Sequence, residues 1–85
     1  MEKSTFTREY SILKDLLRQT REQAGLTQVQ VAKRLGESQS FVSKCERGER
    51  RLDLVQLREF CKAMGVNLLA VVSAFETAVA KKKSS

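Results

Sequence analysis

The stretch RLGESQSFVSKCERGERR, residues 34–51, contains a glycine between two short apolar patterns and a polar face of unusual composition. Between Ser38 and Cys45 it contains no acidic residue, and arginines close the stretch. An ordinary solvent-exposed helix carries mixed charges on its polar face, often as pairs of opposite sign. Hydroxyl and amide groups bordered by arginine instead suit a surface that is anionic overall and hydrogen-bonding in detail. Duplex DNA has these properties.

Two short helices separated by a tight turn are predicted around this stretch. Thr27, with Gln30 three residues later, forms a capping box that begins one helix, and Gly36 ends it. Either Glu37 or Ser38 can cap the next helix. Helices joined by so short a turn cross steeply, which requires a small side chain at the crossing and a residue that tolerates positive φ in the turn. Ala32 and Gly36 meet these requirements. The other apolar residues expected at the contact are Val31, Leu35, Val42 and Cys45.

Helical periodicity continues on both sides of this pair. Residues 10–24 place apolar side chains on one face and end at Gly25. Asp53 caps a fourth helix that Gly65 ends, and Asn67 caps a fifth helix, LLAVVSAFETAVA. The sequence therefore predicts an all-α domain of five helices. We expect residues 1–9 to be a flexible N-terminal arm, residues 10–80 the domain itself, and residues 81–85 a disordered basic tail.

Composition limits the classes of function. The chain has 85 residues, 41% of them hydrophobic, which fits one small domain, and it shows neither a signal peptide nor an apolar run long enough to cross a membrane. Its net charge is +6, of which the three lysines at 81–83 supply half. The chain lacks histidine and any nucleophile–base grouping, so we expect no enzymatic activity, metal, cofactor or small-molecule ligand.

The two cysteines, Cys45 and Cys61, occur without a CxxC motif. This spacing and the absence of histidine argue against a zinc site. Both residues lie on apolar helix faces, which favours buried thiols in a reducing compartment over an intramolecular disulfide.

Three motifs together resemble a known family. They are GLTQ at residues 25–28, the spacing of Ala32, Gly36 and Val42, and SKCERGER at residues 43–50. From about Leu17 to Val66 the chain resembles the lambda repressor and Cro (XRE-type) helix-turn-helix regulators. Cys45 and Phe41 depart from the family pattern, in which a larger apolar residue and a smaller residue, respectively, are usual. The resemblance implies a five-helix lambda-repressor-like fold with the helix-turn-helix at helices two and three.

The resemblance also implies roles for the polar residues. Gln39 would form two hydrogen bonds with adenine, and Gln28 would contact phosphate and brace Gln39. The residues expected to contact bases are Ser38, Gln39, Ser40, Ser43 and Lys44. Those expected to contact phosphates are Thr27, Gln28, Arg47, Arg50 and Arg51, and the sequence does not choose between the last two. Phe41 can pack at the core edge or touch a thymine methyl group.

Two charged residues fall on inward-facing stripes. Arg21 lies four residues after Leu17 in the first helix, and Glu46 lies four after Val42 in the third. Buried charges must be paired, since burial of an isolated charge is very costly. In the resembled family, Arg and Glu at these positions form an ion pair. We therefore expect a structural Arg21–Glu46 pair, with Glu46 unavailable to DNA.

The fifth helix has more apolar surface than one small core can cover. Its apolar residues spread over nearly half of the helical wheel, so some should remain exposed as an interface. The residues expected there are Leu69, Val72 and Val79. The family resemblance likewise implies a homodimer formed through C-terminal helices.

The function expected from these features is sequence-specific binding of double-stranded DNA. The chain would be a cytoplasmic, nucleoid-associated transcriptional regulator. It would act as a repressor and would bind a palindromic operator as a dimer. The alternative is an antitoxin whose fifth helix grips a toxin while its DNA binding serves autoregulation.

Overall fold

The computed structural model describes residues 3–84 of the 85-residue chain, and the side chains of residues 8–81. Within this part of the chain five α-helices are joined by turns and short connections, without a strand. The helices are α1 (Lys3–Gln23), α2 (Gln28–Leu35), α3 (Gln39–Glu46), α4 (Leu54–Met64) and α5 (Leu68–Ser84). The predicted all-α fold is confirmed.

Side-chain caps begin four of the helices, as their sequences predict. At the start of α2 the Thr27 hydroxyl accepts a hydrogen bond from the Gln30 amide at 3.1 Å, and the Gln30 side chain accepts one from the Thr27 amide at 2.9 Å. This reciprocal box satisfies backbone N–H groups that have no partner within the helix. The N-cap residues of the three helices that follow are Ser38, Asp53 and Asn67.

The start of α1 differs from the prediction. The helix begins at Lys3, so residues 3–9 extend it where the sequence suggested a separate arm. The reason is local, because no glycine or proline occurs before Gly25 to interrupt helical hydrogen bonding. Met1 and Glu2, which complete the predicted arm, lie outside the described residues.

The end of α5 also differs from the prediction. The helix continues to Ser84 through the lysines at 81–83, where a disordered tail was expected. Lysine is a good helix former, and its positive charge is favourable at the C-terminal end of the helix dipole. Ser85 lies outside the described residues.

The turn between α2 and α3 depends on the backbone of Gly36. This residue has a φ of +73°, and its amide donates a hydrogen bond to Lys33 O at 3.2 Å. The next amide, that of Glu37, donates to Ala32 O at 2.9 Å. A Cβ atom at Gly36 would meet no atom within 4 Å. Glycine is therefore required here by backbone conformation and not by crowding.

The inner face of α3 packs against the hydrophobic core. Helix α2 packs on α3 and α4, and α1 packs on α3 and α5. Val31, Val42 and Cys45 are completely buried where these helices meet, and Phe60 and Cys61 of α4 are nearly so. The expectation that the α2–α3 pair buries its contact against α1 and α4 is confirmed, and the outer face of α3 remains open.

No single described helix is long and apolar enough to cross a membrane. Only α4 and α5 taken together reach that length and hydropathy, and the chain bends by 112° between them. The apolar residues Phe60, Cys61 and Met64 of α4 belong to the buried core.

Cys45 and Cys61 are free, buried thiols, as predicted. Burial raises the pKa of both thiols above the ordinary value of 9.0. In the native protein at pH 8 we therefore expect both to resist a thiol-specific disulfide reagent, and to react rapidly in denaturant. Rapid modification of both thiols under native conditions would contradict their burial.

The same shift gives the direction of the pH dependence. Because the folded-state pKa values are raised, the thiol contribution to stability is complete below about pH 9 and is lost as the pH rises through the folded-state values. Denaturant unfolding between pH 8 and pH 10.5 should show this decline, and a variant with alanine at both cysteine positions should show less of it.

Candidate nucleic-acid interface

The outer face of α3 presents polar side chains around its N-terminus. Ser38, Gln39, Ser40 and Lys44 are exposed, and Ser43 is half-buried. This distribution follows from the helical period, since Val42 and Cys45 on the opposite face are in the core. Ser38 also caps the helix by accepting a hydrogen bond from the Phe41 amide at 3.1 Å, which leaves its hydroxyl proton free to donate.

Phe41 packs at the edge of the core. Its ring is half-buried and stacks on Phe60 of α4, with 6.2 Å between the ring centroids. The Arg50 guanidinium lies over the same ring, with its carbon 5.0 Å from the centroid. Phe41 thus connects α3 to α4 and holds Arg50 beside α3.

The expected ion pair between Arg21 and Glu46 is present. Arg21 Nε lies 2.6 Å from Glu46 Oε2, and Arg21 Nη2 lies 3.0 Å from Glu46 Oε1. The two side chains are only 12% and 4% exposed, and the hydrogen bond to Glu46 raises the pKa of Arg21. Arg21 Nη1 also donates to Leu26 O at 2.8 Å. The pair therefore joins α1, α3 and the connection before α2.

Gln28 links this pair to the outer face of α3. Its Nε2 donates a hydrogen bond to Glu46 Oε1 at 2.9 Å, and its Oε1 accepts one from Gln39 Nε2 at 3.3 Å. Gln28 is half-buried, whereas Gln39 is exposed. The bracing contact that the family resemblance implied for these two glutamines is therefore present in the structure.

Arg47 is held by an acidic neighbour at the end of α3. Its Nε and Nη2 donate to the Glu49 carboxylate at 2.9 and 3.2 Å, and its Nη1 donates to Ser43 Oγ. The hydrogen bond from Arg47, followed by its charge, lowers the pKa of Glu49. The sequence-based expectation that Arg47 contacts phosphate did not include this partner, which lies two residues away.

Arg50 and Arg51 point to different parts of the molecule. Arg50 borders a shallow depression on α3 together with Ser40 and Lys44. Arg51 stacks on the Tyr10 ring of α1 at 4.3 Å, in a groove that also includes Phe75 of α5. Of these two arginines, only Arg50 therefore lies against the helix that carries the candidate base contacts.

Two contacts that stabilise this region were not foreseen. The Tyr10 hydroxyl accepts a hydrogen bond from the Leu52 amide at 2.9 Å and thereby ties the loop after α3 to α1. Arg34 Nη1 donates to Ala63 O at 2.7 Å and ties α2 to the end of α4. Each contact joins residues far apart in the chain, and the local sequence pattern carries no signal for either.

The outer face of α5 is partly apolar. Leu69 is 76% exposed and Val72 is 36% exposed, as the dimer hypothesis requires. Val79 is half-buried and so has less free surface than expected. Val72 also lines an apolar groove between α1, α4 and α5, whose other walls include Leu13 and Phe75.

Comparison with known proteins places these features in a family. A family model described as a helix-turn-helix domain matches residues 13–74, more than half of the chain. The chain belongs to the XRE-like helix-turn-helix regulators. These are DNA-binding transcriptional regulators, and the helix-turn-helix domain implies binding to double-stranded DNA. The family resemblance seen in the sequence is confirmed.

Two helix-turn-helix proteins are similar to this chain. The uncharacterised HTH-type transcriptional regulator y4dJ of Sinorhizobium fredii (strain NBRC 101917 / NGR234) is 40% identical over 53 residues, which cover 62% of this chain and 69% of that protein. The structure of an XRE-family like protein from Pseudomonas syringae pv. tomato str. DC3000 is 43% identical, with a TM-score of 0.83 over 89% of this chain and 93% of that one.

A structure of the clp gene regulator ClgR from C. glutamicum shares the fold at 24% identity. Its TM-score is 0.74, over 82% of this chain and 91% of that one. The overall fold is thus shared with both solved structures.

Proposed function

We propose that this helix-turn-helix protein binds a palindromic operator as a homodimer and represses transcription by occupying that DNA. The observation that carries the proposal is the exposed Gln39 amide, which stands at the N-terminus of α3 and is braced by Gln28. In helix-turn-helix proteins the N-terminal residues of the second helix contact base edges in the major groove. Occupancy of two successive major grooves excludes other proteins from the same DNA.

Base contacts are assigned to the outer face of α3. Gln39 would accept from adenine N6 and donate to N7. The other candidates for base contact are Ser38, Ser40, Ser43 and Lys44. Ser43 is the weakest of these, because its hydroxyl already accepts from Arg47.

Phosphate contacts are assigned to the two sides of α3. Thr27 and Gln28 lie at the N-terminus of α2, where the helix dipole favours an anion. On the other side, Arg47 and Arg50 lie close to α3, whereas the stacking of Arg51 on Tyr10 favours Arg50 as the phosphate ligand of that pair. Such contacts supply affinity with little sequence discrimination.

The dimer is assigned to α5. Leu69 and Val72 are separated by three positions, which places them on neighbouring parts of one helix face. Both are exposed, and the apolar groove beside Val72 extends the patch towards Leu13. A two-fold axis through this face would make the interface self-complementary. Val79 is half-buried and has less surface to contribute, so we assign it to the edge of the proposed interface.

Replacement of Gln39 tests the base-contact assignment. Gln39→Ala should weaken discrimination at one position in each half-site by about 1–3 kcal/mol, and should leave the preference at other positions in place. Competition binding with operators changed at single positions measures this. Equal loss of affinity on all sequences would contradict the assigned role of Gln39.

Glu49 is expected to restrain DNA binding by holding Arg47. Glu49→Gln should release the guanidinium for phosphate, which raises affinity on all duplexes and makes the slope of log K against log salt steeper by about 0.9 for each protomer. The control is Glu59→Gln in α4, which makes the same change in net charge beside Lys62. An equal effect of both variants would show that the change in net charge, and not the release of Arg47, raises the affinity.

A further inference from the structure

The hydrogen bonds from Glu46 through Gln28 to Gln39 have a direction. We call these three side chains the relay. The carboxylate of Glu46 is nearly buried and accepts hydrogen bonds from both Arg21 and Gln28. An ionised carboxylate has acceptors only, so the Gln28 side chain must turn its NH₂ group towards it.

The orientation of the Gln28 amide determines the orientation of the Gln39 amide. With its Nε2 directed at Glu46, Gln28 has its Oε1 directed at Gln39. A carbonyl oxygen only accepts, so Gln39 must in turn direct its NH₂ group at Gln28. The side-chain oxygen of Gln39 and one remaining N–H are then left for a ligand.

This remaining pair of groups matches one base. Adenine presents a donor at N6 beside an acceptor at N7 in the major groove, whereas guanine presents acceptors at both O6 and N7. An acceptor and a donor on Gln39 complement adenine. If the amide of Gln39 were reversed, its NH₂ group would take the place of the oxygen and could donate to guanine O6.

We propose that Glu46 is a positioning residue for base specificity, because it fixes the direction of the relay and thereby favours adenine over guanine opposite Gln39. The proposal rests on the proposed function. It assigns to Glu46 a role beyond its ion pair with Arg21, although Glu46 itself makes no contact with DNA.

Glu46→Gln is the direct test. A glutamine at this position has both a donor and an acceptor, so it permits the relay to run in either direction. The test compares the affinities of wild type and variant for two operators. These operators carry adenine or guanine at the position where Gln39→Ala loses its base preference. The wild-type preference for adenine, expected at about fivefold or more, should fall below about threefold in Glu46→Gln.

Two further variants separate this role from a loss of fold stability. Met64→Ala leaves the relay untouched, destabilises the core of α4, and should keep the wild-type preference. Gln28→Ala interrupts the relay while the Arg21–Glu46 pair remains, and should lose the preference as Glu46→Gln does. This second variant decides the question if Glu46→Gln does not fold.

The outcomes distinguish this inference from the proposed function. A wild-type protein that binds all duplexes equally would overturn both. A wild-type preference for adenine that survives in Gln28→Ala, or in folded Glu46→Gln, would overturn the relay and leave DNA recognition by Gln39 intact. Loss of the preference in Met64→Ala to the same extent would assign the effect to stability alone and would also overturn the relay.

Discussion

Arg21→Met is expected to lower the free energy of unfolding by about 3–5 kcal/mol. The substitution removes both hydrogen bonds that Arg21 donates to Glu46, and the Glu46 side chain is only 4% exposed. The carboxylate would then be left largely out of water without its cation, and Gln28 alone would still donate to it. Most of this loss of stability comes from leaving the Glu46 charge buried without a partner. The loss is therefore larger than the free energy that an ordinary ion pair contributes.

Denaturant unfolding measures the effect, with an exposed ion pair as the control. Lys62→Met removes the partner of Glu59 on the surface of α4, where both side chains are more than half exposed. Such a pair contributes at most about 1 kcal/mol. If Arg21→Met cost less than about half a kcal/mol, the Arg21–Glu46 pair would be effectively solvated, and Glu46 would again be a candidate neighbour of DNA.

Val72→Glu is expected to separate the proposed dimer and to weaken binding to the full palindrome by about a hundredfold or more. A dimer binds both half-sites of the palindrome at once, which raises its affinity above that of one protomer for one half-site. A monomer loses this additional affinity. Near a two-fold axis the new carboxylate would be desolvated and brought close to its own copy. Affinity for a single half-site should change little.

Sedimentation at micromolar concentration, together with titration of full and half operators, measures both effects. Ala74→Glu is the matched control, because it adds the same charge to an exposed position of α5 about 160° around the helix from Val72. A monomeric wild type would contradict the dimer and would favour the alternative of a different protein partner on α5. A Val72→Glu variant that still dimerises would place the interface elsewhere.

Much of the fold could be predicted because its determinants are local. The capping box at Thr27 and the left-handed Gly36 act within one turn of chain, so their sequence signals predicted the boundaries of α2. The start of α1 and the end of α5 had no comparable signal. Residues 3–9 and the lysines at 81–83 are compatible with helix, and nothing in the sequence stops it.

For the residues on and around α3, burial was predictable from the sequence, and side-chain contacts were less so. The helical period placed Gln39 outside and Glu46 inside, and burial required a partner for the charge. The separation of Arg50 from Arg51 depends on how the loop after α3 folds back. That loop is fixed by distant groups, which a pattern of neighbours in the sequence does not encode.

Sequence-specific binding of duplex DNA is tested most directly by selecting duplexes from a random pool with the wild-type protein and titrating the selected duplex against a scrambled one at several salt concentrations. We expect a palindrome with half-sites about 34 Å apart, affinity for it about a thousandfold or more above that for the scrambled duplex, and a slope of log K against log salt of about −4 to −7. Failure to enrich any sequence, with equal and salt-independent affinity for both duplexes, would contradict the proposed function.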